Sequence, residues 1–194
     1  MSDKGYINYF EVLGLPEDCK PGEVRKTYRK AMKDLVLEIA RVEITGDRRD
    51  KYLLDMAKLN AAYYILRDND RRRQYVEDRN KVMRLEEEWR RAANEASEEE
   101  ADRLRRSFDA ALRHFLSTYM EELMLEAGRD RECVEASNWD PSHERHASRV
   151  LRHYRQRLYT EIHERLPYYE VTEPHINWDE RSRTVGELLA AGTE

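Results

Sequence analysis

Tyr6-Ile7-Asn8-Tyr9-Phe10-Glu11-Val12-Leu13-Gly14-Leu15-Pro16 decides the fold, because Tyr28-Arg29-Lys30 and then Leu59-Asn60-Ala61-Ala62-Tyr63-Tyr64-Ile65-Leu66 follow it. Phe10, Val12, Leu13 and Leu15 make a short apolar helical turn. Gly14, free to take a positive φ, and Pro16, which lacks an amide donor, stop it. A second helix is expected after Lys20-Pro21-Gly22, since proline suits a first turn. Its inward stripe is Val24, Tyr28, Ala31, Leu35, Ile39 and Val42, in steps of three and four. Nothing interrupts that stripe before about Ile44, and Thr45-Gly46-Asp47 is the expected turn, with Gly46 as the helix stop. A third helix carries Tyr52, Leu53, Met56, Leu59, Tyr63 and Leu66 and closes on the second as an antiparallel pair. Arg67-Asp68-Asn69-Asp70 then breaks the chain before a short basic helix containing Arg71, Arg72, Arg73 and Tyr75.

Over residues 1–78 these features resemble a J-domain, the DnaJ-type co-chaperone module. Asn60, Ala62, Tyr63 and Leu66, followed by Asp68 and Tyr75, match that family's third helix and its exit without gaps. The resemblance implies a module that docks on DnaK-type chaperones and speeds their ATP hydrolysis. It does so through a basic second helix and a His-Pro-Asp loop. Arg25, Lys26, Arg29 and Lys30 occupy the basic second-helix positions, so an acidic partner surface would be attracted. Arg71, Arg72 and Arg73 stand where many J-domains carry similar residues. The loop itself is missing: counting on from Tyr28, its positions hold Val36, Leu37 and Glu38. Imidazole and rigid proline are both gone, and Glu38 is expected on a continuing helix rather than at a pinned loop. ATPase stimulation, which depends on orientation, is therefore expected to be absent. An ordinary solvated helix face explains the same basic residues in a chain this rich in charge.

Beyond residue 78, Val82, Leu85, Trp89, Ala92 and Ala96 continue a helical stripe. Ser97-Glu98-Glu99-Glu100 has the form of a capping box, so a helix either restarts there or passes through. Ala101, Leu104, Phe108, Ala111, Phe115, Tyr119 and Leu123 span about six turns, or ~35 Å. Gly128-Arg129-Asp130 marks the end, and Asn138-Trp139-Asp140-Pro141-Ser142 reads as a loop delivering an Asp cap and a first-turn proline. Ala147, Val150, Tyr154, Leu158, Ile162 and Leu166 return before Pro167. Residues 79–167 are thus expected to form a long helical hairpin. Residues 168–194 read as an extended tail around Glu173-Pro174-His175-Ile176-Asn177-Trp178, followed by a short amphipathic helix with Val185, Leu188 and Leu189. Trp178, Leu188 and Leu189 are candidate anchors for a partner.

Composition agrees with an all-α protein. Charged residues make up 39%, with 7 Gly and 5 Pro among 194 residues, which suits exposed, elongated helices. The net charge of -5 comes from 35 basic and 40 acidic residues closely interleaved. Such a surface lacks the one-sided basic footprint that nucleic acid requires. Cys19 and Cys133 form no Cys-x-x-Cys pair, and reduced thiols in a cytoplasmic setting are expected. No apolar run approaches the roughly 18 residues of a bilayer span, and Met1-Ser2-Asp3-Lys4 leads into no signal-like stretch. A soluble cytoplasmic protein without membrane contact is the expectation.

His143, His146 and His153, at spacings of three and seven, share a helical face where imidazoles could converge on a metal. Cys133, Glu144 and His175 complete a ligand set only by assumption, while Arg145, Arg149 and Arg152 oppose a bound cation. Solvent-facing or packing histidines are the simpler reading. Tyr63-Tyr64 and Tyr168-Tyr169 read as packing rather than stacking platforms, and no phosphate loop, nucleophile elbow or paired-carboxylate motif stands out. The leading expectation is a non-catalytic J-like adaptor or assembly subunit with protein partners and no cofactor. One alternative is a regulator that pairs with an active J-protein or occupies a DnaK-type chaperone. Another is a metal-dependent helical enzyme. Homo-oligomerisation through the hairpin is a further expectation.

Overall fold

In a computed structural model of the protein, which describes residues 7–41, 46–95, 97–139 and 144–164, the fold is all-α. Helix α1 (Tyr9–Leu13) is short and is fixed at both ends. The Asn8 side chain accepts from the Phe10 amide, and Gly14 closes the helix at φ 63°. Gly14 N–H donates to Glu11 and Leu15 N–H to Phe10, the paired bonds of a Schellman ending that needs a residue at ease with positive φ. The turn buries Tyr9, Phe10 and Leu13.

Helix α2 (Pro21–Arg41) starts at the expected proline, where Glu23 reaches back to accept from the Lys20 amide at 2.7 Å. Val24, Tyr28 and Met32 face the core in steps of four. The helix is continuous through Val36, Leu37 and Glu38. Helix α3 (Gly46–Leu66) runs antiparallel to it, with Tyr28 bonded to Asn60 and Tyr52 to Glu38. Gly46 is the first residue of α3 rather than a stop, a correction to the expected turn. Gly46 is exposed, and nothing lies within 4 Å of where its Cβ would stand, so no packing contact opposes its place in the first turn. Ala57, Asn60, Ala61, Ala62, Tyr63, Ile65 and Leu66 are all buried, because α1, α2 and later helices surround this end of α3. The three alanines let those neighbours approach closely.

Asp68 caps the next helix by accepting from the amides of Asp70 and Arg71. That helix, α4 (Asn69–Glu95), is 27 residues long, so the short basic helix expected at Arg71 is only its first turns. The boundary expected at residue 78 lies inside it. Helix α5 (Glu98–Ser117) restarts at Ser97, whose hydroxyl accepts from the Glu100 amide. It returns along α4, with Trp89 stacked on Phe108 at 5.8 Å and Tyr75 against Phe115 and Tyr119.

Phe108, Leu112, Leu116, Met120 and Met124 are all buried at intervals of four. A step of four overshoots an α-turn by about 40°, so such a stripe would wind away from the core. A π-helical turn, Thr118–Glu122, takes up part of the excess before α6 (Leu123–Arg129). The expected stripe of Ala101, Leu104, Phe108, Ala111, Phe115, Tyr119 and Leu123 does face the core, but this π-turn interrupts the helix that carries it. Helix α7 (Arg131–Ser137), not anticipated from the sequence, follows at once, and α8 (Glu144–Glu164) packs back along α5. Arg152 and Arg155 reach Glu121, and the Tyr159 hydroxyl donates to Asp109.

One hydrophobic core joins the first three helices to the rest, running from Ile7 to Ile162. Tyr75 is a pin in it: its hydroxyl donates to the Ile7 carbonyl at 2.7 Å and accepts from the Tyr9 amide. The Tyr9 hydroxyl donates to the Tyr119 carbonyl, and Tyr119 donates to Asp78 at 2.6 Å. No helix among the described residues is long and apolar enough to cross a membrane. Trp178, Leu188, Leu189 and His143 lie outside the described residues.

Candidate functional site on the second helix

The basic residues of α2 do not share one fate. Arg25 pairs with Glu132 of α7 at 2.9 Å. Lys26, Arg29, Lys30 and Lys33 are exposed and have no ion-pair partner among the described residues. Val36 is partly buried against the core, Leu37 is 44% exposed, and exposed Glu38 accepts from the Tyr52 hydroxyl at 3.3 Å. At residues 36–38 there is therefore helix surface, with the carboxylate tethered to the neighbouring helix.

The seventh helix turns this surface into a cleft. Asp130 caps α7 by accepting from the Cys133 amide, and Cys133 and Ser137 press onto α3 at Asn60. Asn60 is fully buried and satisfied: it accepts from Tyr28 at 2.9 Å and donates to the Ser137 hydroxyl at 3.4 Å. Tyr28 and Tyr63 stack at 4.2 Å and 6°. Burial pushes the Tyr28 phenol well up and the Cys133 thiol up to about 12, with Asp130 adding to the latter, so this cysteine is an inert thiol.

Around the cleft mouth the charges interlock. Tyr63 donates to Glu132, and Arg67 contacts both Asp130 and Glu132. The Tyr63 bond, helped by Arg25 and Arg67, holds the Glu132 carboxyl below the usual range. Burial works against ionised Asp130, yet the Arg67 bond and the Cys133 amide outweigh it and lower its pKa. The resulting cleft of about 550 Å³ is lined by Arg25, Tyr28, Arg29, Lys33, Val36 and Leu37 on one side, with Glu132, Glu135 and Ala136 opposite.

The three arginines of α4 are mostly committed to the chain itself. Arg72 donates to the carbonyls of Cys19 and Glu17 and lies over the Phe10 ring, fastening the loop between α1 and α2. Arg71 sits 3.8 Å over Tyr64 and near Asp68, while exposed Arg73 pairs with Asp70. The histidine face also separates. His146 accepts at Nδ1 from Arg149 and so donates from Nε2 to Asp50 at 2.7 Å. His153 is exposed. No group of three or more His, Cys, Asp or Glu is placed to hold a metal among the described residues. Glu132 and Ala136, the second wall of the cleft, had no signal in the sequence beyond the helical spacing of four between them.

A stretch of 68 residues, 35% of this chain, is 29% identical to the chaperone protein DnaJ of Hydrogenobacter thermophilus and covers 17% of that protein's length. The likeness is distant and partial, and it points to a J-domain-like relationship. No protein-family model matches the chain, and no solved structure matches it.

Proposed function

We propose that this chain is a non-catalytic J-like adaptor or assembly subunit of the cytoplasm. In it a J-like unit, residues 1–78, and a helical extension, residues 79–167, hold protein partners together. The observation that carries the reading is the unbroken course of α2 through residues 36–38, with exposed basic residues retained on the same helix. A surface of this kind attracts an acidic partner but has no pinned loop with which to orient a chaperone's catalytic groups. Two buried, unpaired cysteines suit a reducing compartment. The tail, residues 168–194, adds Trp178, Leu188 and Leu189 as further anchors.

A second reading is favoured by Lys26, Arg29 and Lys30, which have no ion-pair partner among the described residues: the chain occupies a DnaK-type chaperone, or pairs with an active J-protein, and so restrains that system. Single-turnover ATP hydrolysis by a purified DnaK-type chaperone separates the readings. The adaptor leaves the rate unchanged, with or without an active J-protein. The regulator suppresses the acceleration produced by the active J-protein. Acceleration by this chain alone contradicts both.

A further inference from the structure

Leu37 is the single large hydrophobic residue that is well exposed among the described residues. It stands in a row with Arg29 and Lys33, one helical turn between each, so the three line one edge of the cleft over about 12 Å. Behind them Val36, Ala136 and the rings of Tyr28 and Tyr63 give the cleft apolar surface.

The charges around it are unequal in availability. Arg25 and Glu132 satisfy each other, and Glu135 is paired with Arg131 at 2.8 Å. Arg29 and Lys33 have no carboxylate within ion-pair reach among the described residues. An apolar anchor point with two unneutralised cations beside it calls for a ligand with the opposite arrangement. An extended strand covers 12 Å in about four residues, which sets the spacing between its apolar and acidic groups. A nucleic acid suits the cleft poorly, because it offers no aliphatic side chain for the apolar end at Val36 and Leu37.

Building on the adaptor reading, we propose that the α2–α7 cleft is a docking slot for a short acidic peptide segment of a protein partner. A leucine-like side chain packs on Val36 and Leu37, and carboxylates within about four residues of it pair with Lys33 and Arg29. The slot exists because α7, which lies outside the J-like segment, supplies the second wall.

The test uses the full-length chain and a fluorescein-labelled hexapeptide of two leucines followed by four glutamates, read by fluorescence anisotropy. Saturable binding is expected, with about tenfold weaker affinity for Leu37→Ser and for the double variant Arg29→Ala, Lys33→Ala. Ala136→Glu, which fills the slot from the α7 side, is expected to abolish binding, whereas Arg145→Ser on α8 leaves it unchanged. Circular dichroism checks that each variant is folded. Probes with serines for the leucines, or lysines for the glutamates, are expected not to bind. No binding of the first probe, equal binding of the serine probe, or indifference to Ala136→Glu overturns the slot. So does a dimer of the full chain that Leu37→Ser dissociates, since a second copy is then the occupant. Failure here with an unchanged ATPase rate removes the slot and leaves the adaptor reading, whereas binding accompanied by ATPase acceleration removes the adaptor reading alone.

Discussion

Arg67, in the turn that follows α3, holds Asp130, the cap of α7, through two parallel hydrogen bonds of 3.1 and 2.6 Å. The fork-to-carboxylate geometry fixes orientation as well as distance. It ties the second wall of the cleft to the end of the central helix, where Tyr63 and Asn60 meet Glu132 and Ser137 at the two ends of α7.

Asp130→Ala removes the cap and leaves a partly buried guanidinium short of its partner. A loss of about 2 kcal/mol is expected, combining a cap of about 1 kcal/mol with a weakened pair. Asp130→Asn keeps a capping oxygen and is expected to lose about half as much. Urea denaturation with an unchanged m-value checks both.

The same carboxylates set the acid limit. Asp130 and Glu132 have folded pKa values below their unfolded ones, Asp130 despite burial and through Arg67, Glu132 through Tyr63. Their contribution is present above the unfolded range of about 4 and is lost as pH falls through the lower folded values. Glu132 is nearly half exposed and solvent-screened, so its share is the smaller. The thermal midpoint is expected to be level above about pH 5 and to fall below about pH 4, more shallowly in Asp130→Asn.

Gly128 of α6 lies against the Trp139 indole, and a Cβ built on it would meet the ring at 3.0 Å. Both residues are buried, so an added side chain has little room. Gly128→Val is expected to cost about 2 kcal/mol by overpacking, measured as a lower urea midpoint. A blue-shifted tryptophan emission that persists without loss of stability would contradict this.

Much of this was readable from side-chain spacing. Tyr9 to Leu13 with Gly14, the Val24 and Tyr28 face of α2, and the buried end of α3 follow from apolar periodicity and a glycine at positive φ. Helix α7 was not, since Cys133 and Ser137 are its only buried residues and make no apolar stripe. Nor was the role of Arg72, because its partners are backbone carbonyls, which any residue supplies. The π-turn left a trace in the four-residue interval from Phe108 to Met124, visible only once each position is known to be buried. The cleft edge is legible in retrospect as Arg29, Lys33 and Leu37, two cations and an apolar residue on one face of a helix whose inward stripe excludes them.

Leu37→Pro discriminates helix from loop at the position where J-domains carry proline. Within a helix it removes one amide bond and crowds the carbonyl four residues earlier, so a loss of about 3 kcal/mol is expected. Leu37→Ala, at an exposed site, is expected to change stability by less than about 0.5 kcal/mol. Paired denaturation curves for the two variants check this.

Everything functional rests on α2 continuing through residues 36–38. Amide hydrogen exchange of the full chain at those three positions tests it most directly. Protection comparable to that of residues 30–34 is expected. Exchange at the rate of an open loop, with 30–34 still protected, would contradict the helix and with it the loss of a trigger.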